Sequence, residues 1–166
     1  MSRSILVVTA VVGILATVAV PRVGRGADSA GGGEACTVLT KQDAVGALGQ
    51  DVKGPSDTKA GAGVMPNTVA SACEYQGTGA GIRSLSVQLW RASGGTSMTQ
   101  MGQVVCAKKT RDGLAGLGDI ACWYDTKHEE LQVFRGAVFV TVELRGLREP
   151  TEPIKVVAKA VLARLH

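Results

Sequence analysis

Four cysteines and two histidines carry most of the chemistry open to this chain. Cys36, Cys73, Cys106 and Cys122 are the residue type for a thiolate nucleophile, a metal ligand, a lipid acceptor or a disulfide half. A four-thiolate zinc site uses closely paired ligands. Here no Cys-x-x-Cys pair occurs, and the nearest two, Cys106 and Cys122, stand 16 positions apart. A lipid acceptor needs a small, apolar tripeptide directly before it, whereas Gly33-Glu34-Ala35 carries a charge before Cys36. An even cysteine count in an exported chain points to two disulfides, which leave no free thiol for catalysis. Four cysteines allow three connectivities, and the sequence does not select among them. The sequential pairing, Cys36–Cys73 with Cys106–Cys122, is the favoured expectation. By chain entropy the two bridges contribute about 4 and about 3 kcal/mol.

The other candidates are weaker. His128 sits among acids in "DTKHEE", where a solvated turn histidine is expected, and His166 ends the sequence. Neither neighbours a nucleophile motif, and no Gly-x-Ser-x-Gly occurs. "GTGAG" at 77–81 precedes an alternating segment rather than a helix, so it lacks the helix N-terminus that a dinucleotide loop needs. "GLAGLGD" lacks the Lys-Ser/Thr of a P-loop. No catalytic residue, metal ligand or cofactor is assigned. Trp90, Trp123 and Tyr124 remain as a binding surface at strand ends, against the alternative that they pack the core or the sheet edge.

The elements that must position these residues follow from spacing. Thr40 with Asp43 reads as a helix start, Ala44, Val45 and Leu48 form one stripe, and Gly49 stops the helix. "DVKGPSD" reads as a short or edge strand, and the Gly/Pro-rich segment after it as a loop. "SACEYQ" and "IRSLSVQLW" form a hairpin, the second with Leu85, Val87 and Leu89 on one face. Residues from about Gly95 to Lys109 place Met98, Met101, Val104, Val105 and Lys108 at helical spacing. Three strands follow, at 120–124, 131–134 and 138–144, the last with a single buried face. Thr151 is expected to cap a final helix with the stripe Ile154, Val157, Ala158, Val161 and Leu165. The expected fold class is α+β: an antiparallel sheet of about five to six strands with two to three helices packed on it.

Ahead of this domain, Arg3 precedes an apolar run to Val20, and Pro21 with small residues follows. That is the order of a secretory signal, too short to span a bilayer comfortably. Arg22 and Arg25 follow the run, so an uncleaved membrane anchor is the alternative. The expected organisation is a signal peptide or anchor at 1–27, a flexible tether at 28–35 and one domain at 36–166. The 18 basic and 14 acidic side chains give a net charge of +4. Arg3, Arg22 and Arg25 leave with the leader, so 15 basic remain against 14 acidic. The alkaline balance belongs to the leader, and no clustered basic face for nucleic acid appears. Lys108, Lys109 and Arg111 read as a solvated helix end.

"CTVLTKQDAVGALG" (36–49) resembles the opening of a broad group of small exported bacterial cell-envelope domains of unknown function, many of them lipoproteins. "ACEYQ" at 72–76 and "GLGDIACWY" at 116–124 are similar to a later cysteine segment and a Gly-Leu-Gly-Asp turn in that group. The resemblance covers most of residues 36–165 and implies an exported α+β domain without known catalysis, with Cys36 paired to Cys73. This chain departs from the lipoproteins by lacking their acceptor cysteine. The functional expectation is a secreted or periplasmic, non-enzymatic binding or accessory module, acting through its sheet edge or the loop at 59–69. Its partner would be an envelope protein or a small ligand, with the membrane involved only through an uncleaved N-terminal segment. The alternatives are an envelope hydrolase or an inhibitor of one, and a membrane-anchored structural protein.

Overall fold

The computed structural model describes residues 33–58 and 67–165. The leader, residues 28–32 of the tether, most of the loop at 59–69 and His166 lie outside the described residues. The described residues form an α+β fold: one six-stranded antiparallel sheet with four helices. In order these are α1 (Glu34–Val38), α2 (Lys41–Leu48), β1 (Val52–Thr58), β2 (Thr68–Gly77), β3 (Ser84–Ala92), α3 (Met98–Val105), β4 (Ile120–Trp123), β5 (Glu130–Arg135), β6 (Val138–Arg145) and α4 (Thr151–Arg164). The sheet order is β1-β2-β3-β6-β5-β4, two meanders joined where β3 pairs with β6.

One face of the sheet, here the helix face, follows from strand alternation. Leu85, Val87 and Leu89 of β3 stand opposite Leu144, Val142 and Val140 of β6, and all six are buried. Leu131 and Val133 of β5 extend the layer, and α1, α2 and α4 cover it. The stripe read in the last helix is buried throughout, joined by Leu162. Each aliphatic side chain so enclosed is worth about 1.5–3 kcal/mol of transfer free energy.

The helix ends obey local chemistry. Thr40 and Asp43 form a reciprocal capping box, and Gly49 closes α2 in the left-handed region at φ 64°. Asp43 also takes two bonds from Arg164, at 2.6 and 3.1 Å, and Arg164 donates to the Val38 carbonyl at 2.8 Å. The start of α2 is thereby locked to the end of α4.

Four details differ from the sequence reading. Helix α1 begins at Glu34, inside the expected tether, because Ala35 is fully buried and its N–H donates to Ser71 Oγ. Thr151 lies within α4 rather than capping it, and Pro150 holds the cap position. Helix α3 is shorter than expected and turns its stripe differently. Met98 and Gly102 are buried, while Val104 is 78% exposed. A Cβ on Gly102 would lie 2.6 Å from Phe134 Cγ, so the missing side chain is what lets the ring seat against the helix. Finally, β6 is buried on both faces at its start, since Phe139 belongs to the cluster under α3 and Thr141 beside it is 5% exposed.

Both bridges of the sequential pairing are present, Cys36–Cys73 and Cys106–Cys122. The first ties α1 to the helix face at β2. The second ties the end of α3 to β4 on the other face.

Candidate functional site: the open face of the sheet

The second face of the sheet divides in two. At one end Trp90, Phe139, Phe134 and Ile120 form a transverse row capped by α3 and the Cys106–Cys122 bridge. Trp90 stacks on Phe139 and Phe139 on Phe134, at 4.7 and 4.5 Å between ring centroids. The rest of this face carries mostly polar side chains, and α3 packs mainly on β4 and β5. Strand register arranges those side chains in rows. One row runs Ser56, Glu74, Ser86, Glu143, Glu130 across β1, β2, β3, β6 and β5. The next runs Ala72, Gln88, Thr141, Gln132, and on the far side lie Gln76, Ser84 and Arg145.

A solvated face is ordinary for an antiparallel sheet. Two features of this one are not. Glu130 stands directly opposite Glu143 in register, a like-charge pairing that costs stability. Burial pushes the Glu130 carboxyl above the usual range despite a 3.2 Å bond from Gln132 Nε2. Glu143 and Asp125 add to that rise, and Lys109 opposes it. In addition, Gln132 Oε1 and Trp90 Nε1 are buried without hydrogen-bond partners. Between β2, β3 and β6 the face forms a trough of about 250 Å³ lined by Glu74, Ser84, Ser86, Gln88, Glu143 and Arg145. Arg145 is ion-paired to Glu143 at 2.5 Å.

The three aromatics expected at a binding surface do not share one. Trp123 is 2% exposed on the helix face, with its Nε1 3.5 Å from the Asp112 carbonyl, and Trp90 is buried beneath α3 on the opposite face. Tyr124 alone reaches solvent, 55% exposed, with Lys109 Nζ 4.0 Å above its ring and 3.2 Å from its carbonyl. Tyr124 adjoins the acid row, because its N–H donates to the Glu130 carbonyl. Lys109 is therefore a fixed cation beside that row and not a free helix end.

His128 is not a freely solvated turn residue. It is half-buried at φ 59°, stacks on Trp123 at 4.5 Å, and sets Nδ1 3.4 Å from Thr151 Oγ1. It wedges the β4–β5 connection against the start of α4. Asp125 holds the same connection by accepting from the N–H groups of Lys127, Glu129 and Glu130. The "GLGD" segment is likewise structural. Gly118 sits at φ 62°, where a Cβ would come 2.7 Å from the Phe134 carbonyl. Asp119 accepts from Thr99 Oγ1 at 2.6 Å and from the Gly136 N–H at 2.8 Å, which hold its carboxyl below the usual range.

A second concavity, of about 390 Å³, lies between α2 and α4. Gly46 and Ala47 form its floor and Pro153, Val156 and Val157 its wall. Its acids are already neutralised, Asp43 by Arg164 and Glu152 by Lys155.

The open-face residues are invisible in the sequence as a group. Each is simply the polar member of an alternating strand. The one local signal is that several are carboxylates or amides where Thr or Ser would serve as well.

Among the described residues no set of His, Cys, Asp and Glu side chains is placed to hold a metal ion. No helix among them is long and apolar enough to cross a membrane. Comparison with protein-family profiles, curated proteins and solved structures finds no significant match to this chain.

Proposed function

We propose that this protein is an exported, disulfide-stabilised binding or accessory module of the cell envelope, non-enzymatic, with the open face of its sheet as the binding surface. The observation that carries the reading is the placement of Glu130 opposite Glu143 on the face that α1, α2 and α4 do not cover. A local rule is broken there at a cost to stability, and such breaks concentrate where a fold serves function. The engagement of His128 by Trp123 and Thr151, and of all four cysteines in bridges, supports binding over catalysis. The bridges are compatible with an oxidising compartment, whether secreted, periplasmic or at the outer side of an anchoring helix.

The face is a better surface than the sheet edges first expected. Edge strand β1 contains Pro55 and a register shift between Lys53 and Ser56, both of which blunt strand addition. On edge strand β4 the Trp123 N–H is already taken by the Thr110 carbonyl.

A photo-crosslinking residue placed at Ser86, in the producing cell, tests this. Adducts from Ser86 but not from Val156, in the α2–α4 groove, are expected. Adducts from Val156 alone would move the surface to that groove. The exported state is tested by intact mass after alkylation without reduction. A mass lacking the leader, with no alkylated thiol, is expected.

A further inference from the structure

We infer that the open face takes a partner protein segment bearing lysine or arginine, with one cationic head group seated over Glu130, Glu143 and Gln132. The inference rests on the reading of this face as the binding surface and adds the chemistry of what binds.

The place is short of donors. Glu130 and Glu143 are register partners, so their carboxylates share one patch of the face. Gln132 is 8% exposed and points its head group at that patch, since its Nε2 donates to Glu130 Oε1 at 3.2 Å. Its own Oε1 has no partner. Three acceptor-bearing groups therefore meet with three internal donor atoms, Gln132 Nε2 on Glu130 and Arg145 Nε and Nη2, both on one oxygen of Glu143. Arg145 is 68% exposed on its side chain and free to swing aside. Lys109 is held over Tyr124 at the side of the patch, where it acts on Glu130 through charge and its hydrogen bond goes to the Tyr124 carbonyl. Glu74 continues the acid row two strands away, beyond Ser86. A second cation along an extended segment would meet it there.

An ammonium or guanidinium satisfies this arrangement. It supplies several donors to converging acceptors and cancels the repulsion that the free fold tolerates. A metal ion fits less well, because the described residues do not bring the ligands of a cation site together. Rim charges of this kind act on selectivity and encounter more than on raw affinity, so binding should weaken steeply with salt.

The test uses the intact chain with both bridges formed and three capped octapeptides alternating serine with lysine, glutamine or glutamate. Amide shifts are followed by NMR in low and physiological salt. The lysine peptide is expected to shift Ser86, Glu130, Gln132 and Glu143. Its affinity should fall at least tenfold in the Glu130→Gln/Glu143→Gln double variant and stay unchanged in Glu149→Gln, an exposed acid before α4. The double variant should melt no lower than the parent, which separates lost binding from lost folding. Equal loss in Glu149→Gln, or no loss in the double variant, would overturn the inference. So would absence of shifts at these residues. Binding of the glutamine or glutamate peptide with equal affinity would overturn the cation selectivity while leaving the face as a binding surface. Failure of that broader reading shows separately, as crosslinks that avoid Ser86.

Discussion

The two faces of the sheet solve opposite problems with the same strands. On the helix face several charges at the boundary are answered, although Gln50 Nε2 after α2 is buried without a partner. Asp43 meets Arg164, and Arg83 and Arg135 donate to the last carbonyls of α2 and α4 at Leu48 and Leu162, each at 2.9 Å. Between them lies largely aliphatic packing that also takes in Tyr75 and Trp123. On the open face Glu130 stands against Glu143, Gln132 keeps an unpartnered oxygen, and Trp90 an unpartnered N–H. The helix face is built for stability. The open face gives some of it up, and that contrast is the strongest pointer to where the protein meets something else.

The contrast can be tested from its largest consequence to its smallest. Replacing Cys36 and Cys73 together with alanine should cost about 4 kcal/mol, and replacing Cys106 and Cys122 about 3 kcal/mol. Denaturant melts measure both, and the second pair should loosen α3 while the helix face keeps its exchange protection. Equal loss of protection on both faces would show that they do not behave as separable layers. Leu131→Ala, at a fully buried position of the helix face, should cost about 3 kcal/mol by transfer and cavity terms.

Asp43→Ala should cost about 2 kcal/mol, combining a lost cap with a lost ion pair. Burial raises the Asp43 carboxyl, but the bonds from Arg164 and Thr40 outweigh it and leave it below the usual range. Its contribution is therefore complete above the ordinary aspartate value of about 3.9 and fades as pH falls through the lower folded value.

Glu130 runs the other way. Its folded carboxyl titrates above the ordinary range, so its cost is absent at low pH and appears as pH rises through the folded value. Glu130→Gln should accordingly raise stability at neutral pH by about 0.5 kcal/mol. Side-chain NMR titration should find Asp43 and Glu130 displaced in opposite directions. A Glu130 that titrates low, or a destabilised Glu130→Gln, would remove the energetic case for the open face.

Much of the framework was legible because it rests on near neighbours. The Thr40–Asp43 box spans three residues, Gly49 ends α2 through its own backbone, and the α4 stripe repeats within one helix. Alternation in β3 and β6 announced a buried face for the same reason. Apart from the start of α4, where Pro150 takes the cap position, the misread details involve distant partners. Val104 fell outside the α3 contact because Gly102 and Phe134 set the rotation of that helix. Ala35 joined the core because Ser71 captures its N–H. His128 is pinned by residues of β4 and α4.

By itself, then, the sequence determined the fold class, the capped ends of α2, the apolar stripes and the even set of cysteines. These depend on periodicity and on groups a few bonds apart. Only the tertiary structure decided that Trp90 and Trp123 lie on opposite faces, that β3 pairs with β6, and that Glu74, Glu143 and Glu130 fall in one row. Side chains alternate with a period of two, so one residue of register carries a whole row from one face to the other. Register between distant strands is settled by the packing of the complete sheet.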